Sequence, residues 1–325
     1  MANPTPATSN FIGIDLSGQN LRAVLVGADG SVADRREAPL ASDQITTQIA
    51  GMVAALRENA PNVEAVGIGI PGLVNRDTDR VLVSSDLPTI VTGDVHAQLK
   101  QATGLRVELE NDANAAAYGE FKVGVGGNHR NMFYITIGEG IGGALIVNGG
   151  LWIGASGCAG EIGHVTIDTE GIECKCGNRG CLETVASAPN IVRRAEERLD
   201  RDSTSSLSRL AMKDAFTADD LAREATNGDD FSAMMIERTG KYIGTAVASV
   251  INLLSIELIV LGGGVMEAGE IILKPIIEEA RRRAFQPCFD ATRIVAATLG
   301  PDAVAIGAAL LARDAAQSAG QGAGK

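Results

Sequence analysis

Apolar residues along this chain fall into short runs cut by turn-forming residues, and the runs alternate with longer stretches of helical period. Residues 11–15 form one such run, Leu16-Ser17-Gly18-Gln19-Asn20 interrupts it, and residues 21–26 resume it. That pattern predicts a strand, a tight turn and a returning strand. The design recurs at 132–137, Gly138-Glu139-Gly140 and 141–147. Such a weak internal repeat predicts two domains of similar ancestry, each opening on a hairpin whose small-residue turn lets a phosphate approach backbone N–H groups. Either turn, taken singly, also reads as an ordinary hairpin.

Between the hairpins the periodicity predicts a helix over 43–59, a buried strand over 63–70, a helix over 94–102, a strand over 106–109 and a helix beginning near Asp112. A polar, cysteine-containing excursion follows the second hairpin, over 154–183, and then helices over 188–200, 218–226 and 231–254. The last part alternates again: strand 258–261, helix 270–285, strand 294–297, helix 303–315. Strands alternating with helices predict an α/β class with largely parallel central sheets. The apolar stretch 242–265 holds Asn252 and Glu257 and ends in glycines, which suits a buried helix and a strand better than a membrane span.

The chain has 325 residues, 45% of them hydrophobic, more than one compact core usually serves, which again predicts two domains. A formal charge of −12 argues against DNA, RNA or an anionic membrane as a partner, and Arg281, Arg282 and Arg283 follow Glu278 and Glu279 as the end of an exposed helix. Residues 1–10 are polar, with neither the cationic region nor the apolar run of a secretory signal, and read as a loose arm. Residues 318–325 read as a disordered tail. A soluble, cytoplasmic protein is expected.

Four constellations carry chemistry. Cys174, Cys176 and Cys181 crowd one loop with glycines at Gly177 and Gly180, and His164 is the nearest suitable fourth ligand. Three thiols so close suggest a tetrahedral metal site rather than a disulfide framework, and four protein ligands make such a site closed and structural. In the run Glu110-Asn111-Asp112-Ala113-Asn114 a strand gives way to a helix of small residues. Asn111 or Asp112 can serve as an N-cap; alternatively Asp112 accepts a proton from a substrate hydroxyl, with the helix N-terminus keeping it ionised. Glu161 and His164, set among glycines, and Glu183 just after Cys181, supply the mixed donors and acceptors that a polyhydroxylated ligand needs. His164 can serve metal and sugar through its two nitrogens. Finally, the two hairpin turns and Gly262-Gly263-Gly264 offer backbone to phosphates and a nucleoside, with Asp15 a candidate for Mg²⁺. No GxxxxGK[ST] is present, which excludes an ordinary P-loop.

The runs Gly157-Cys158-Ala159-Gly160-Glu161-Ile162-Gly163-His164 and CxCGxxGCxE, from Cys174 to Glu183, resemble those of the ROK family of repressors, open reading frames and kinases. The resemblance covers residues 11 to about 312. It implies two actin-like (ribonuclease H-like) α/β domains around a central cleft: a smaller one over 1–118, joined by a C-terminal helix over 303–317, and a larger one over 119–302 with the metal loop at 164–183. It further implies an ATP-dependent kinase acting on a hexose or N-acyl-hexosamine, most often at C6. In that pattern Asp112 resembles the general base. Gly72, Asn111, Glu161, His164 and Glu183 resemble the sugar ligands, and His164, Cys174, Cys176 and Cys181 the zinc set. Asp15, Ser17, Gly18, Gln19 and Asn20 with Gly138, Glu139 and Gly140 resemble the phosphate and Mg²⁺ region, and Gly262, Gly263 and Gly264 part of the adenosine site. A homodimer is the implied assembly.

Two departures fall on the nucleotide side. The family's kinases usually carry DxGGT[KN] at the first turn, where this chain has Ser17 in place of a glycine and Gln19 in place of a threonine. The usual GTG of the second turn is Gly138-Glu139-Gly140 here, which sets a carboxylate where phosphates are expected. A sugar-binding sensor or regulator without phosphoryl transfer is therefore the second reading. Direct repression is not expected, since about ten polar residues precede the first strand, too few for a helix-turn-helix.

Overall fold

The computed structural model describes residues 9–84, 87–199, 205–211 and 215–322. It divides into two units: the described residues of Met1–Gly127, Leu151–Ala159 and Leu299–Lys325, and those of Asn128–Gly150 and Gly160–Thr298.

In the first unit, β1 (Asn10–Asp15), β2 (Asn20–Gly27) and β3 (Val32–Pro39) form an antiparallel meander, and α1 (Ile45–Arg57) leads to β4 (Val63–Ile70), which pairs parallel to β1. A small hairpin, β5 (Leu73–Asn75) and β6 (Arg80–Val83), and helices α2 (Pro88–Thr92) and α3 (Val95–Thr103) precede β7 (Arg106–Asn111). β7 adds parallel to β4, and α4 (Asp112–Val123) follows it directly. The sheet order is β3-β2-β1-β4-β7. β1 and β4 are apolar without alternation because both faces are covered. Ile12, Ile14, Ile49, Leu56, Val66, Ile68 and Leu99 are buried in the cluster on one side, and the C-terminal helix Ala303–Gly322 lies against β1, β4 and α4. That helix sits close because Gly13 and Gly67 lack side chains: a Cβ at either would overlap the carbonyl oxygen of Ala305 or Ala308.

The second unit repeats the plan. β8 (Met132–Ile137) and β9 (Ile141–Val147) make the antiparallel hairpin, β10 (Gly150–Leu151) extends its edge, and the polar excursion contains a single 3₁₀ turn at Ile162–His164. Then come α5 (Glu183–Ala186), α6 (Ala188–Leu199), α7 (Leu207–Ala211), α8 (Ala218–Thr226) and the long α9 (Asp230–Leu254). β11 (Leu258–Gly262), α10 (Glu270–Arg283), α11 (Gln286–Asp290) and β12 (Arg293–Ala296) complete a sheet of order β10-β9-β8-β11-β12, with β8, β11 and β12 parallel. Both sheets thus carry one topology, hairpin first and parallel strands after. Ile135, Ile243, Val247, Ile251, Ile259, Leu261, Ile272 and Ile276 centre its own core; burying each such side chain contributes about 1.5–3 kcal/mol.

Two expectations at the termini change. The polar arm 1–10 lies outside the described residues up to residue 8, and Asn10 already belongs to β1. The C-terminal helix, expected to stop at 317 before a disordered tail, continues to Gly322, and only residues 323–325 of that tail lie outside the description. No proline interrupts this stretch, and Ser318 Oγ returns to the Asp314 carbonyl at 2.8 Å, so the hydroxyl is satisfied within the helix. Asp200, expected to close α6, also lies outside the described residues. Among the described residues no helix is long and apolar enough to cross a membrane.

Candidate active site

In the first unit the predicted residues gather at one end of the sheet. Register pairs Asp15 with Gly69 and Ile70 with Asn111, so the C-terminal ends of β1, β4 and β7 share an edge, where open α/β sheets usually bind ligands. Asp15 is buried, and burial raises its carboxyl pKa; Ser17 opposes this by donating to Oδ1 from its N–H at 2.7 Å and its hydroxyl at 2.6 Å. Ser17, Gly18 and Gln19 are exposed, while Asn20 is drawn back to β3 by its bond to Glu37 at 2.6 Å.

Asn111 caps α4: its Oδ1 accepts the Asn114 N–H at 3.0 Å from an extended backbone. Its Nδ2 donates to the Gly72 carbonyl at 2.9 Å and to Asp112 Oδ1 at 3.0 Å, and the same Asp112 oxygen accepts the Ala113 N–H at 2.9 Å. The sequence left the cap open between Asn111 and Asp112; Asn111 takes it, and the Asp112 carboxylate stands at the first turn of the helix. Gly72 has φ of 136°, and a Cβ there would overlap the Val83 carbonyl oxygen, so only glycine permits the chain to pass and present its own carbonyl to Asn111.

Sequence reasoning missed the support behind this pair. Glu110, 5% exposed, accepts from Asn111 N–H at 2.9 Å and Asn114 Nδ2 at 2.8 Å, and is ion-paired with Arg76 on the β5–β6 hairpin. The hairpin therefore holds the cap at two points, through Gly72 and through Arg76. A charged residue just before the cap was the available signal, but its partner, 34 residues upstream, was not readable.

The second unit assembles the rest. The β8–β9 turn closes with Gly138 N–H donating to the Gly140 carbonyl at 2.9 Å, and Glu139 is exposed at its tip. Glu183 reaches this turn: its Oε2 accepts the Ile141 N–H at 2.9 Å and would lie 2.9 Å from a Cβ on residue 140. The Gly138 carbonyl accepts the Ala188 N–H at 2.8 Å, which ties the turn to the α5–α6 junction. Gly263, with φ of 88°, packs its bare Cα against the Ile137 backbone, so Gly262-Gly263-Gly264 run beside the same turn. Glu161 precedes the 3₁₀ turn and His164 ends it. Although Glu161 is exposed, the protein around it raises its carboxyl pKa; His164 opposes that rise and the nearby Glu183 carboxylate adds to it.

His164, Cys174, Cys176 and Cys181 bring one ligand atom each to within 4.8 Å of one another. Cys174 Sγ lies 3.7 Å from His164 Nδ1, and Cys176 Sγ lies 3.8 Å from Cys181 Sγ. Ligands about 2.3 Å from a central ion span tetrahedron edges of about 3.8 Å, so the spacing and the soft donor set both fit one ion. The approach of Cys174 through Nδ1 leaves Nε2 of His164 for another partner. Without an ion's charge, burial pushes the Cys181 thiol up to about 12 and raises Cys174 too, whereas backbone hydrogen bonding lowers Cys176.

A duplicated α/β unit opening on a hairpin, with glycine turns at matching strand ends, defines the two-domain actin-like sugar kinase fold. The chain belongs to the ROK family, whose sequence model matches residues 11–315. It is 34% identical to a glucokinase of Halalkalibacterium halodurans, over 96% of this chain and 97% of that one. An N-acetylmannosamine kinase of Shigella flexneri is 30% identical, over 93% of this chain and 98% of its own. Among solved structures, a ROK family glucokinase of Streptomyces griseus in complex with glucose and AMPPNP superposes with a TM-score of 0.84 at 31% identity, covering 94% of this chain and 99% of that one.

Proposed function

We propose that this protein is an ATP-dependent sugar kinase that transfers the γ-phosphoryl group to a hydroxyl, at C6, of a hexose or N-acyl-hexosamine, with glucose the first candidate. The observation that carries the reading is the pairing of Asn111 with Asp112: one carboxylate oxygen is committed to the Asn111 amide and the Ala113 N–H, which fixes the orientation of the group. A carboxylate held at a helix N-terminus, where negative charge is favoured, suits a general base. Near-full-length similarity to a glucokinase and to an N-acetylmannosamine kinase supports the substrate class.

In this reading Asp112 takes the proton from the attacking hydroxyl as the phosphoryl group transfers in line. Gly72, Asn111, Glu161, His164 and Glu183 hold the sugar, and the turns at Ser17–Asn20 and Gly138–Gly140 hold phosphates. Gly262–Gly264 flank the adenosine. Mg²⁺ accompanying ATP would offset phosphate charge, and Asp15, oriented by its two bonds from Ser17, is the carboxylate that would hold it. Zinc suits the His164, Cys174, Cys176 and Cys181 set, where it would pin the excursion that carries Glu161 and Glu183. A cytoplasmic homodimer is the working assembly.

A coupled ADP-release assay with Mg²⁺-ATP across hexoses and N-acetylhexosamines tests the reading, run beside thermal shifts for each sugar alone. Sugar-dependent ADP release is expected, strongest with one sugar. Stabilisation by sugar without turnover would replace it with the sensor reading, which the exposed Glu139 carboxylate favours.

A further inference from the structure

Arg194 is a buried charged side chain of the second unit with no role in the proposed chemistry. It is 4% exposed on α6, no carboxylate pairs with it among the described residues, and its Nη2 has no hydrogen-bond partner. Burial pulls its pKa down to about 10, and Arg198, Arg238 and Arg193 add like charge nearby. A buried cation without an anion carries a desolvation cost that no Coulombic attraction repays. Its actual partners show what it does. Nη1 donates to the Val185 carbonyl at 2.6 Å and to Thr239 Oγ1 at 3.2 Å, and the guanidinium stacks over the Tyr242 ring, 4.9 Å from its centroid, on α9.

The contact on α5 belongs to a series. α5 is four residues long; the Ser187 N–H reaches its first carbonyl, and a helix of one turn leaves its other carbonyls to outside donors. Asn190 Nδ2 donates to the Glu183 carbonyl at 3.0 Å, Arg193 Nη2 to the Thr184 carbonyl at 3.0 Å, and Arg194 Nη1 to the Val185 carbonyl. These donors stand at i, i+3 and i+4, one face of α6, and grip three successive carbonyls of α5. The first residue of α5 is Glu183, whose Oε2 is fixed on the Ile141 N–H of the glycine turn. A slip of the α5 backbone along α6 therefore moves the carboxylate and the turn together.

We propose that Arg194 is a positioning residue: anchored on α9 by Thr239 and Tyr242, it locks the backbone of α5 so that the Glu183 carboxylate is presented to the sugar. This rests on the assignment of Glu183 as a sugar ligand. Arg193 and Asn190 assist from the same face, and Arg194 also reaches α9.

The test compares Arg194→Met, Arg194→Lys and Glu183→Gln in the full-length protein. For each, sugar KM and kcat are measured for the panel sugar turned over best, with glucose the expectation, along with ATP KM and Tm without ligand. Replacing an unpaired buried cation with methionine removes a desolvation cost, so Arg194→Met is expected to keep or raise Tm while sugar KM rises about tenfold, the loss that follows misaligning one hydrogen bond to a charged group. kcat and ATP KM should stay within about threefold. A merely structural arginine would give the reverse, a lowered Tm with unchanged sugar KM, and that result overturns the proposal. Should Arg194→Met fail to fold, Arg194→Lys, which keeps the charge but cannot span α5 and α9, is judged by the same sugar KM. If Glu183→Gln weakens sugar binding while neither Arg194 variant does, the proposal falls alone; if Glu183→Gln changes nothing, the sugar-ligand assignment falls and takes the proposal with it.

Discussion

Replacing Asp112 with asparagine separates proton transfer from everything else that this side chain does. The oxygen that accepts from Asn111 Nδ2 and the Ala113 N–H, at 3.0 and 2.9 Å, has an equivalent in the asparagine amide, so the cap and the first turn of α4 keep both bonds. What the amide cannot do is take up a proton. A positioned general base contributes about 10²- to 10⁴-fold, which at 1.36 kcal/mol per decade raises the barrier by about 3–5 kcal/mol. Loss of the favourable interaction between the carboxylate and the α4 N-terminus lowers stability by no more than about 1 kcal/mol. Asp112→Asn should therefore reduce kcat in the ADP-release assay at least about a hundredfold, while the sugar-induced thermal shift persists and Tm moves by about 3 °C or less. A kcat within about fivefold of the parent would remove Asp112 as the base, because no proton acceptor of that strength would then be in use.

The remaining predictions probe the turns, the metal loop and the packing. Glu139→Thr removes a carboxylate from the β8–β9 turn; because Glu139 is exposed, the repulsion from a phosphate lies near the aqueous end of the Coulomb range, about 1 kcal/mol at 4 Å. ATP KM should then fall about fivefold, more at low salt, and a rise instead would mean that Glu139 helps to hold the metal–nucleotide complex. Stripping the metal with a strong chelator should lower Tm by more than about 10 °C and abolish sugar-induced stabilisation, since the thiols of Cys174 and Cys181 then revert to buried neutral groups. Metal analysis showing less than one ion per chain in fully active protein would contradict the site. Gly67→Ala drives a Cβ into the Ala308 carbonyl oxygen and should destabilise by about 3 kcal/mol or more, whereas Gly51→Ala, exposed on α1 with open space around it, should stabilise by up to about 1 kcal/mol. Chemical denaturation of both variants checks the pair, and equal effects would refute the packing of the C-terminal helix.

What the sequence could reveal followed from how narrowly each function restricts residue type. A tetrahedral soft-metal site admits few side chains, so His164, Cys174, Cys176 and Cys181 stood out, and their ligand atoms do converge. The two hairpins were visible because their strands are buried on both faces and their turns need small residues. β3 was missed because Asp34, Arg35, Arg36 and Glu37 give it no apolar face; it is an edge strand whose register comes from pairing with β2. β5, β6 and α5 are too short for any periodicity and exist through tertiary hydrogen bonds, such as Asn111 to Gly72 and Arg193 to Thr184. Arg76 and Arg194 were unreadable for the same reason. Each acts on groups outside its own element, Arg76 on the Glu110 carboxylate and Arg194 on the Val185 carbonyl and Thr239, and nothing in the local pattern announces the partner.

Comparison of the two units shows how one topology supplies different chemistry. In both, the first strand runs into a glycine-containing turn, at Ser17–Asn20 and at Gly138–Gly140, and glycines flank the end of the next parallel strand, at Gly69 and Gly72 around the end of β4 and at Gly262–Gly264 around the end of β11. Glycines recur there because strand ends at a sheet edge must bend while letting a neighbouring backbone come close, as Val83 does to Gly72 and Ile137 does to Gly263. The units diverge at the following strand. β7 ends in Asn111-Asp112 and launches α4 at once, so a cap and a carboxylate stand at its edge, whereas β12 ends at Ala296 with no polar side chain at that point. In the second unit the polar side chains come instead from the long excursion, where Cys174 lies against His164 and α6 grips the Glu183 backbone. The shared topology therefore fixes where backbone is open at the sheet ends, and the two units differ in the side chains set there, from a helix cap in one and from the cysteine-containing loop in the other.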